Sequence, residues 1–301
     1  MYDLVTIGDI TIDLYFKGES LTQKDDRFYL AVGGKYVVNH FYESLGGGGS
    51  NVAIGASNFG LNTAVLGKVG ENVFKQIIIQ KLVKKGISTE FLISDKNYLN
   101  ISSILLTESG ERTIIHYLTP HETFQLNKAM KQNLAKTKIA YMGNLPDISI
   151  KERKALLMLF KQNNVPVCLN IGIVDCRKPL SEICELISLS DVFIINTYEF
   201  AELIKKNRQQ IDFTKDCGRY LNFSEKILVL TDGDKGSYLY YKKNVLYQKA
   251  IKPKKIVDTT GAGDAYTSGF ISSFINDGNL EKAMRIGTEY AAKILEKIGA
   301  N

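Results

Sequence analysis

Short apolar runs alternate with amphipathic segments along most of the chain, and this pattern predicts alternating strands and helices. Runs of roughly 4–8 apolar residues, most of them ending at Gly, Asn or Asp, have the length of buried strands. The predicted strands cover residues 3–8, 63–70, 139–143, 165–172, 191–196, 226–233 and 237–241. Helical periodicity covers residues 51–60, residues 73–86 and the segment after residue 264. Such alternation is typical of an α/β fold with a parallel-core sheet and helices on both faces.

Two segments break the alternation, at about residues 12–45 and 99–119. Both are strand-like and lack helical periodicity, and in the second two β-rich runs flank the turn sequence ESGER. We expect them to form a small, discontinuous β-sheet lid on a single α/β domain spanning residues 1–301. The stretch GGGGS at 46–50 has the composition of a flexible spacer, yet apolar periodicity begins directly after it.

Polar residues collect at the ends of the predicted strands, among them Asp9, Asn170, Asn196 and Asp232. In open parallel sheets, ligands bind beyond the carboxyl ends of the strands. We therefore expect the functional site at this edge of the sheet, under the predicted lid.

Composition excludes several classes of function. The chain has 301 residues, 45% of them hydrophobic, and a net charge of +6. Its basic residues are mostly scattered Lys, which suits bidentate phosphate contacts less well than Arg, so we expect no nucleic-acid partner. With no apolar stretch of ~20 residues we expect no membrane partner. Four cysteines without a C-x-x-C pair and three histidines disfavour zinc and fit reduced thiols in a cytoplasmic protein.

The sequence VDTTGAGDAYTSGFISSFIN at 257–276 contains the strongest motif. Its glycine-rich turn precedes an apolar helical pattern, and backbone N–H groups at a helix N-terminus favour anions such as phosphate. Asp264 then has two explanations: it caps the helix, or it accepts a proton from an attacking hydroxyl.

DTTGAGDAYTSGF (258–270) resembles the C-terminal signature of the PfkB, or ribokinase-like, carbohydrate kinases, and GGGGSNVAIGASNFGLNTAVLGKVGEN (46–72) resembles the family's other signature. The resemblance covers essentially the whole chain. It implies a Rossmann-like α/β body with a β-sheet lid. It also implies an ATP- and Mg²⁺-dependent kinase that phosphorylates a primary hydroxyl of a small sugar, nucleoside or related compound.

The resemblance also assigns roles to particular residues. It makes Asp264 the catalytic base and places the transferring phosphoryl group at the N–H groups around Gly261, Ala262 and Gly263. The acceptor-binding residues would be Asp13, Gly47, Gly48 and Asn51. Ribokinases have Lys at the position of Gly48, which puts ribose as the substrate in doubt.

On the nucleotide side, the resemblance implies that Asn196 and Glu199 organise Mg²⁺ and its waters. Thr231, Gly233 and Gly236 would lie along the ribose and phosphates of ATP. Some relatives bind a monovalent cation, K⁺ for example, through backbone carbonyls, here near Asp258 and Thr260 and the segment around Gly299. Some also form homodimers through lid strands, which the apolar stretch 28–42 permits.

Two further functions stay open. One is a nucleoside kinase acting on the ribose 5′-hydroxyl, in which Phe16, Phe28, Tyr29 and Phe41 stack on the base instead of only packing the lid. The other is a non-catalytic sensor that binds a sugar or nucleotide. An NAD-dependent oxidoreductase lacks support because GDITID, not G-x-G-x-x-G, follows the first strand. His116 and His121 have no evident partner in the sequence.

Overall fold

The computed structural model describes residues 1–21, 23–25, 27–107 and 112–300. The strands are β1 (Tyr2–Ile7), β2 (Thr11–Lys17), β3 (Gln23–Lys24), β4 (Arg27–Phe28), β5 (His40–Gly46), β6 (Thr63–Gly70), β7 (Ile87–Ser88), β8 (Leu92–Asp95), β9 (Asn100–Leu106), β10 (Arg112–Leu118), β11 (Thr137–Met142), β12 (Val167–Leu169), β13 (Val192–Asn196), β14 (Ile227–Thr231), β15 (Ser237–Tyr241) and β16 (Asn244–Gln248). The α-helices are α1 (Gly48–Asn58), α2 (Phe74–Lys84), α3 (Lys128–Leu134), α4 (Ile150–Gln162), α5 (Ile173–Cys176), α6 (Leu180–Ser188), α7 (Thr197–Leu203), α8 (Ala262–Asp277) and α9 (Leu280–Ile294).

The large sheet has the order β16-β15-β14-β13-β12-β11-β1-β6-β7, with β8 also paired to β6. Pairing is parallel from β14 to β7, while β15, which matches the strand predicted at 237–241, and β16 extend the edge as an antiparallel hairpin. The predicted α/β class with a mostly parallel core is confirmed. Because β1 pairs with β6 on one side and β11 on the other, the strand order reverses at β1, where a ligand crevice is expected.

Apolar residues cover both faces of this sheet. One core contains Leu157 of α4 and Phe200 of α7 against strand residues such as Phe193. The other contains Phe270 of α8 and Met284 of α9 against the opposite face. No helix within the described ranges has the length and apolar character to span a bilayer.

A second sheet, here called the lid sheet, has the order β10-β9-β2-β5. Its central strands β2 and β9 are parallel, and its outer pairs are antiparallel. All four strands meet the body at one end, where Thr11 pairs with Gly46 and Asn100 with Leu118. The tip of the predicted ESGER turn, residues 108–111, lies outside the described residues.

The two faces of the lid sheet differ sharply. Alternation along β2 places Asp13 and Tyr15 on a buried inner face, whereas Phe16 packs against Phe41 on the outer face. Phe41 is 55% exposed. The idea that Phe16 and Phe41 stack on a nucleoside base is therefore wrong, because they face away from the crevice.

Helix α1 begins at Gly48, three residues before the predicted start at residue 51. Gly47 precedes it with φ +88°, and the Asp9 carbonyl accepts hydrogen bonds from the N–H groups of Gly49 and Ser50. A Cβ on Gly49 would lie 2.6 Å from the Gly8 carbonyl carbon. Glycines of low helix propensity thus start the helix, because only they allow it to approach β1 so closely.

Candidate active site

Helix α8 begins at Ala262 after Gly261, which has φ +74°. The first backbone bond of the helix runs from Ala265 N–H to the Gly261 carbonyl at 2.8 Å, so the preceding N–H groups have no partner within the helix. A Cβ on Gly263 would meet nothing within 4 Å. Asp264 lies in the first turn and does not cap the helix. The prediction that Asp264 is the N-cap residue of this helix is therefore wrong.

Asp264 is joined to the other glycine-rich motif by a hydrogen bond. Asn51 Nδ2 donates to Asp264 Oδ2 at 2.8 Å, across 213 positions of sequence. Burial raises the pKa of Asp264, and the bond from Asn51 lowers it in part. A Cβ on Gly48 would lie 3.6 Å from Asp264 Oδ1. Gly48, Asn51 and Asp264 thus share one end of the crevice.

Asp13 lies on the inner face of the lid sheet and is 6% exposed. Burial raises the pKa of Asp13 to about 6, helped by the charge of Asp258, while a hydrogen bond from Ser102 opposes the rise. A Cβ on Gly46 would lie 2.0 Å from Asp13 Oδ2. A side chain at Gly46, the first glycine of GGGGSN, would therefore displace the Asp13 carboxylate.

Asp9, after the end of β1, is a third carboxyl whose pKa is raised. Burial, with a smaller effect of the Asp147 charge, raises its pKa to about 7. A Cβ on Gly47 would lie 2.4 Å from the Asp9 carbonyl oxygen, so this glycine too is fixed by close backbone contact. Sequence reasoning missed Asp147, which lies in a loop without any motif.

The predicted nucleotide residues come together at the neighbouring strand ends. Asn196 of β13 is the register partner of Thr231 of β14. The Asn196 side chain accepts from the N–H of Glu199 at 2.8 Å, and these two residues form a capping box at α7. Burial raises the pKa of Glu199. In the following loop, Gly233 and Gly236 have φ +56° and +110°.

A polar network that the sequence did not reveal fixes this loop. Thr197 Oγ1 donates to Asp232 Oδ1 at 2.6 Å, and Arg208 forms an ion pair with the same carboxylate. The Arg208 guanidinium also lies 4.5 Å from the ring centre of Tyr198. The network ties the start of α7 to the loop after β14.

Tyr141 of β11 links the two halves of the crevice. Its side chain is buried, and its pKa is raised first by burial and then by the charges of Asp264, Cys168 and Glu199. Asp264 and Glu199 therefore both lie near the Tyr141 hydroxyl, at the end of β11.

The loop before α8 is held from two directions. The buried Asp258 carboxylate accepts from Thr260 N–H and Oγ1 at 2.9 and 2.7 Å and from Gly299 N–H at 3.0 Å. Arg112, at the tip of the lid sheet, donates to Thr259 and lies 3.7 Å from Asp258 Oδ1. The Asp258 side chain therefore fixes the conformation of this loop through hydrogen bonds. Sequence reasoning also missed Arg112.

Within the described ranges, no group of three or more His, Cys, Asp or Glu side chains is arranged to hold a metal directly. The half-buried Glu199 carboxylate is a hard oxygen donor of the kind Mg²⁺ accepts through water. Burial raises the pKa of this carboxyl, and a bound cation would favour its ionised form. The residues present thus fit a water-mediated Mg²⁺ site.

The model of the pfkB family carbohydrate kinases matches residues 1–301. An uncharacterized sugar kinase of Archaeoglobus fulgidus is 26% identical over 254 residues, which are 82% of this chain and 96% of that protein. Arabidopsis thaliana ribokinase complexed with ribose and ATP superposes with a TM-score of 0.80 at 21% identity, covering 99% of this chain and 94% of that one. Adenosine kinase of Sinorhizobium meliloti superposes with a TM-score of 0.79 at 20% sequence identity, covering 100% of this chain and 95% of that one.

The match over the whole chain makes this protein a phosphotransferase that acts on an alcohol group. The chain belongs to the pfkB family of carbohydrate kinases, a family of ATP-using enzymes.

Proposed function

We propose that this protein transfers the γ-phosphoryl group of ATP to a primary hydroxyl of a small sugar, with Asp264 as the general base. The hydrogen bond from Asn51 to Asp264 is the observation that carries the proposal, because it aims a carboxylate at the crevice beside the open N-terminus of α8. A carboxyl whose pKa is raised by burial is also a stronger base than one in water.

The chemistry follows from these positions. The acceptor hydroxyl loses its proton to Asp264 as its oxygen bonds to the γ-phosphorus, and ADP leaves with the electrons of the broken bond. The N–H groups around Gly261, Ala262 and Gly263, which have no partner within helix α8, hold the charge of the transferring group, and such donors are worth roughly 3–4 kcal/mol each. Asp13, Gly47, Gly48 and Asn51 hold the acceptor on the other side of Asp264.

ATP would lie along the strand ends of β13 and β14. Thr231, Gly233 and Gly236 would contact its ribose and phosphates, with the backbone of the two glycines free of side-chain obstruction. Asn196 and Glu199 would hold Mg²⁺ through water, and a bound Mg²⁺ neutralises the phosphate charge.

An ADP-release screen over D-ribose, D-fructose, adenosine and inosine tests the proposal with wild-type protein and Asp264→Asn. Loss of the base is expected to lower kcat by roughly 10²–10⁴-fold with little change in KM for ATP. Asp277→Asn is the matched control, because Asp277 lies at the exposed far end of the same helix. Undiminished turnover by Asp264→Asn would refute the role of the base.

The alternatives give different outcomes in the same screen. Preference for adenosine or inosine identifies a nucleoside kinase acting on the 5′-hydroxyl. Binding of these compounds without ADP release identifies a sensor. A Gly48→Lys variant addresses the acceptor further, because its new side chain would extend toward Asp264.

A monovalent-cation site near Asp258 and Thr260 belongs to the proposal as well. The Asp258 side chain already accepts from protein donors, so backbone carbonyls would hold the ion. Equal rates in K⁺ and Na⁺ buffers would argue against this site. The free thiols of all four cysteines fit the proposed cytoplasmic location.

We also propose a homodimer through the outer face of the lid sheet. Phe41, Ile115 and Tyr117 are each at least 55% exposed there and form an apolar surface of the kind that marks interfaces. Sedimentation should show a dimer that Ile115→Lys dissociates. Val83→Lys, at an equally exposed position on α2, should leave it intact.

A further inference from the structure

Tyr141 lies in the middle of the large sheet, between the strands of the acceptor side and those of the nucleotide side. Its strand, β11, pairs directly with β1 and is separated by β12 from β13, the strand that ends at Asn196. Tyr141 is the register partner of Thr6 in β1, so both side chains project from the same face of the sheet. The Thr6 hydroxyl donates to the Gly49 carbonyl of α1 at 2.8 Å. Tyr141 therefore lies on the face that α1 covers.

Helix α8 covers the same face of the sheet. The Tyr141 ring belongs to the apolar cluster that contains Val52 of α1 and Phe270 of α8. The first turns of these two helices are joined by the hydrogen bond from Asn51 to Asp264. Tyr141 thus lies on the part of the sheet over which the starts of α1 and α8 meet.

The Tyr141 ring leans toward the carboxyl end of its strand. A Cβ on Gly143, two residues further along and on the same face, would lie 3.2 Å from Tyr141 Cε1 and 3.3 Å from the hydroxyl oxygen. Both distances are shorter than an optimal contact between non-bonded atoms, so the glycine leaves room for the ring. The hydroxyl group therefore points to the edge of the sheet at which the crevice lies.

The Tyr141 hydroxyl makes no hydrogen bond within the part of the chain that the structure describes, although the residue is only 1% exposed. Its pKa is raised well above the ordinary value by burial and then by the charge of Asp264, with smaller effects of Cys168 and Glu199. The hydroxyl consequently keeps its proton at neutral pH. A buried, protonated phenol without a partner is a hydrogen-bond donor that a ligand can use.

In phosphoryl transfer, the γ-phosphoryl group lies between the base at the attacking hydroxyl and the Mg²⁺ site at the phosphates. Asp264 and Glu199 are the residues proposed for these two places, and the Tyr141 hydroxyl lies near both. We infer that Tyr141 is a further catalytic residue, whose hydroxyl donates a hydrogen bond to the γ-phosphoryl group of ATP. The inference rests on the proposed kinase function. The phenol keeps its proton throughout, and the proton of the acceptor hydroxyl still goes to Asp264.

Tyr141→Phe removes the hydroxyl and keeps the ring, so it separates this role from packing. Calorimetric titration with Mg²⁺ and AMP-PNP, a non-hydrolysable analogue of ATP, measures the contact without turnover. We expect the variant to bind AMP-PNP about tenfold more weakly than the wild type, because it lacks a hydrogen bond to a charged group, and to bind ADP equally well. Unchanged affinity for AMP-PNP would show that Tyr141 only packs, and an equal loss for ADP would place its contact elsewhere on the nucleotide. Either result would overturn the inference.

Steady-state kinetics with the best acceptor among D-ribose, D-fructose, adenosine and inosine give a second measurement. Tyr141→Phe is expected to lower kcat/KM for ATP by roughly 10–100-fold and to leave KM for the acceptor unchanged. Wild-type kcat/KM for ATP would contradict the inference. So would a change confined to KM for the acceptor, because it would place the hydroxyl against the acceptor instead.

Tyr240→Phe is the matched control. Tyr240 is also fully buried, but its hydroxyl donates to the Phe213 carbonyl at 2.8 Å. Its substitution should lower the midpoint of thermal unfolding and leave nucleotide binding unchanged, whereas Tyr141→Phe should do the reverse, since its hydroxyl has no protein partner to lose.

The two measurements also separate the inference from the proposed function. Weaker binding of AMP-PNP by Tyr141→Phe, without ADP release from any acceptor in the wild type, would support the contact and refute only the proposed transfer. ADP release at equal rates by the wild type and by Tyr141→Phe would refute only the inference. A wild-type protein that bound neither nucleotide would refute both.

Discussion

Asp9→Asn should stabilise the protein at neutral pH, because the native fold holds this carboxyl where ionisation is unfavourable. Burial and the Asp147 charge raise its pKa from 3.8 to about 7. Between these values the folded state binds more protons than the unfolded state, so stability falls as pH rises through this window. A raised pKa of a carboxyl therefore costs stability above pH 7 and costs none below pH 4.

The magnitude follows from the shift. Roughly three pKa units at 1.4 kcal/mol each give an upper bound of ~4 kcal/mol, and water reaching the half-buried side chain reduces this to about 2 kcal/mol. Urea unfolding at pH 8 and pH 4.5 measures it. The variant should exceed the wild type by about 2 kcal/mol at pH 8 but by only about 1 kcal/mol at pH 4.5, where the unfolded carboxyl is still mostly ionised.

Asp3→Asn supplies a control of opposite sign. Hydrogen bonds from Lys138 and from the backbone of Asn62 lower the pKa of Asp3, so its replacement should destabilise the protein at pH 8 and matter less in acid. If Asp9→Asn stabilised equally at both pH values, or destabilised at pH 8, the assignment of a strained carboxylate at Asp9 would be refuted.

Three other substitutions test the site and the core. Gly261→Ala should lower kcat and cost roughly 1–2 kcal/mol or more, because its φ is +74° and its Cβ would lie 2.2 Å from a side chain of the C-terminal segment. Gly263→Ala, whose methyl meets open space, is the control in thermal unfolding. Arg153→Met should cost roughly 3 kcal/mol in urea unfolding, since it removes a buried partner of Asp175, and a loss below ~1 kcal/mol would contradict this. Glu199→Gln should raise the Mg²⁺ concentration needed for half-maximal rate about tenfold, and an unchanged Mg²⁺ dependence would exclude its role.

The sequence was sufficient for the features that depend on local pattern. Buried strands such as β6 were predicted because continuous apolar runs bounded by turns carry a clear signal. Asp264 stood out because a glycine-rich turn that opens a helix is a local pattern. Asn196 stood out because it ends a predicted strand and matches a motif of the family that the sequence resembles. The start of α1 was predicted wrongly, because a tertiary contact with β1 overrides the weak helix propensity of Gly48 and Gly49.

Other features depend on pairings between distant segments, which a single sequence does not encode locally. His116 contacts Ser102 only because the register between β9 and β10 pairs the two residues. Arg112 reaches Thr259 across 147 positions. Asp147 has no motif, and its effect on Asp9 is electrostatic. In each case the residue type is common, and its distance along the sequence from its partner carries no signal. Only the folded structure therefore shows the contact.

The attachment of the lid sheet has a mechanical consequence. Its four strands join the body along one line through Gly46, Thr11, Asn100 and Leu118. Rotation about this line is the motion of the sheet that such an attachment restrains least. Asp13 lies two residues from that axis and the strand tips lie six residues from it, which are lever arms of about 7 and 20 Å at 3.3 Å per residue. A rotation of about 20° would move Asp13 only ~2 Å but the tips ~7 Å. Such a rotation would separate Arg112, at a tip, from Thr259 while Asp13 stayed nearly in place.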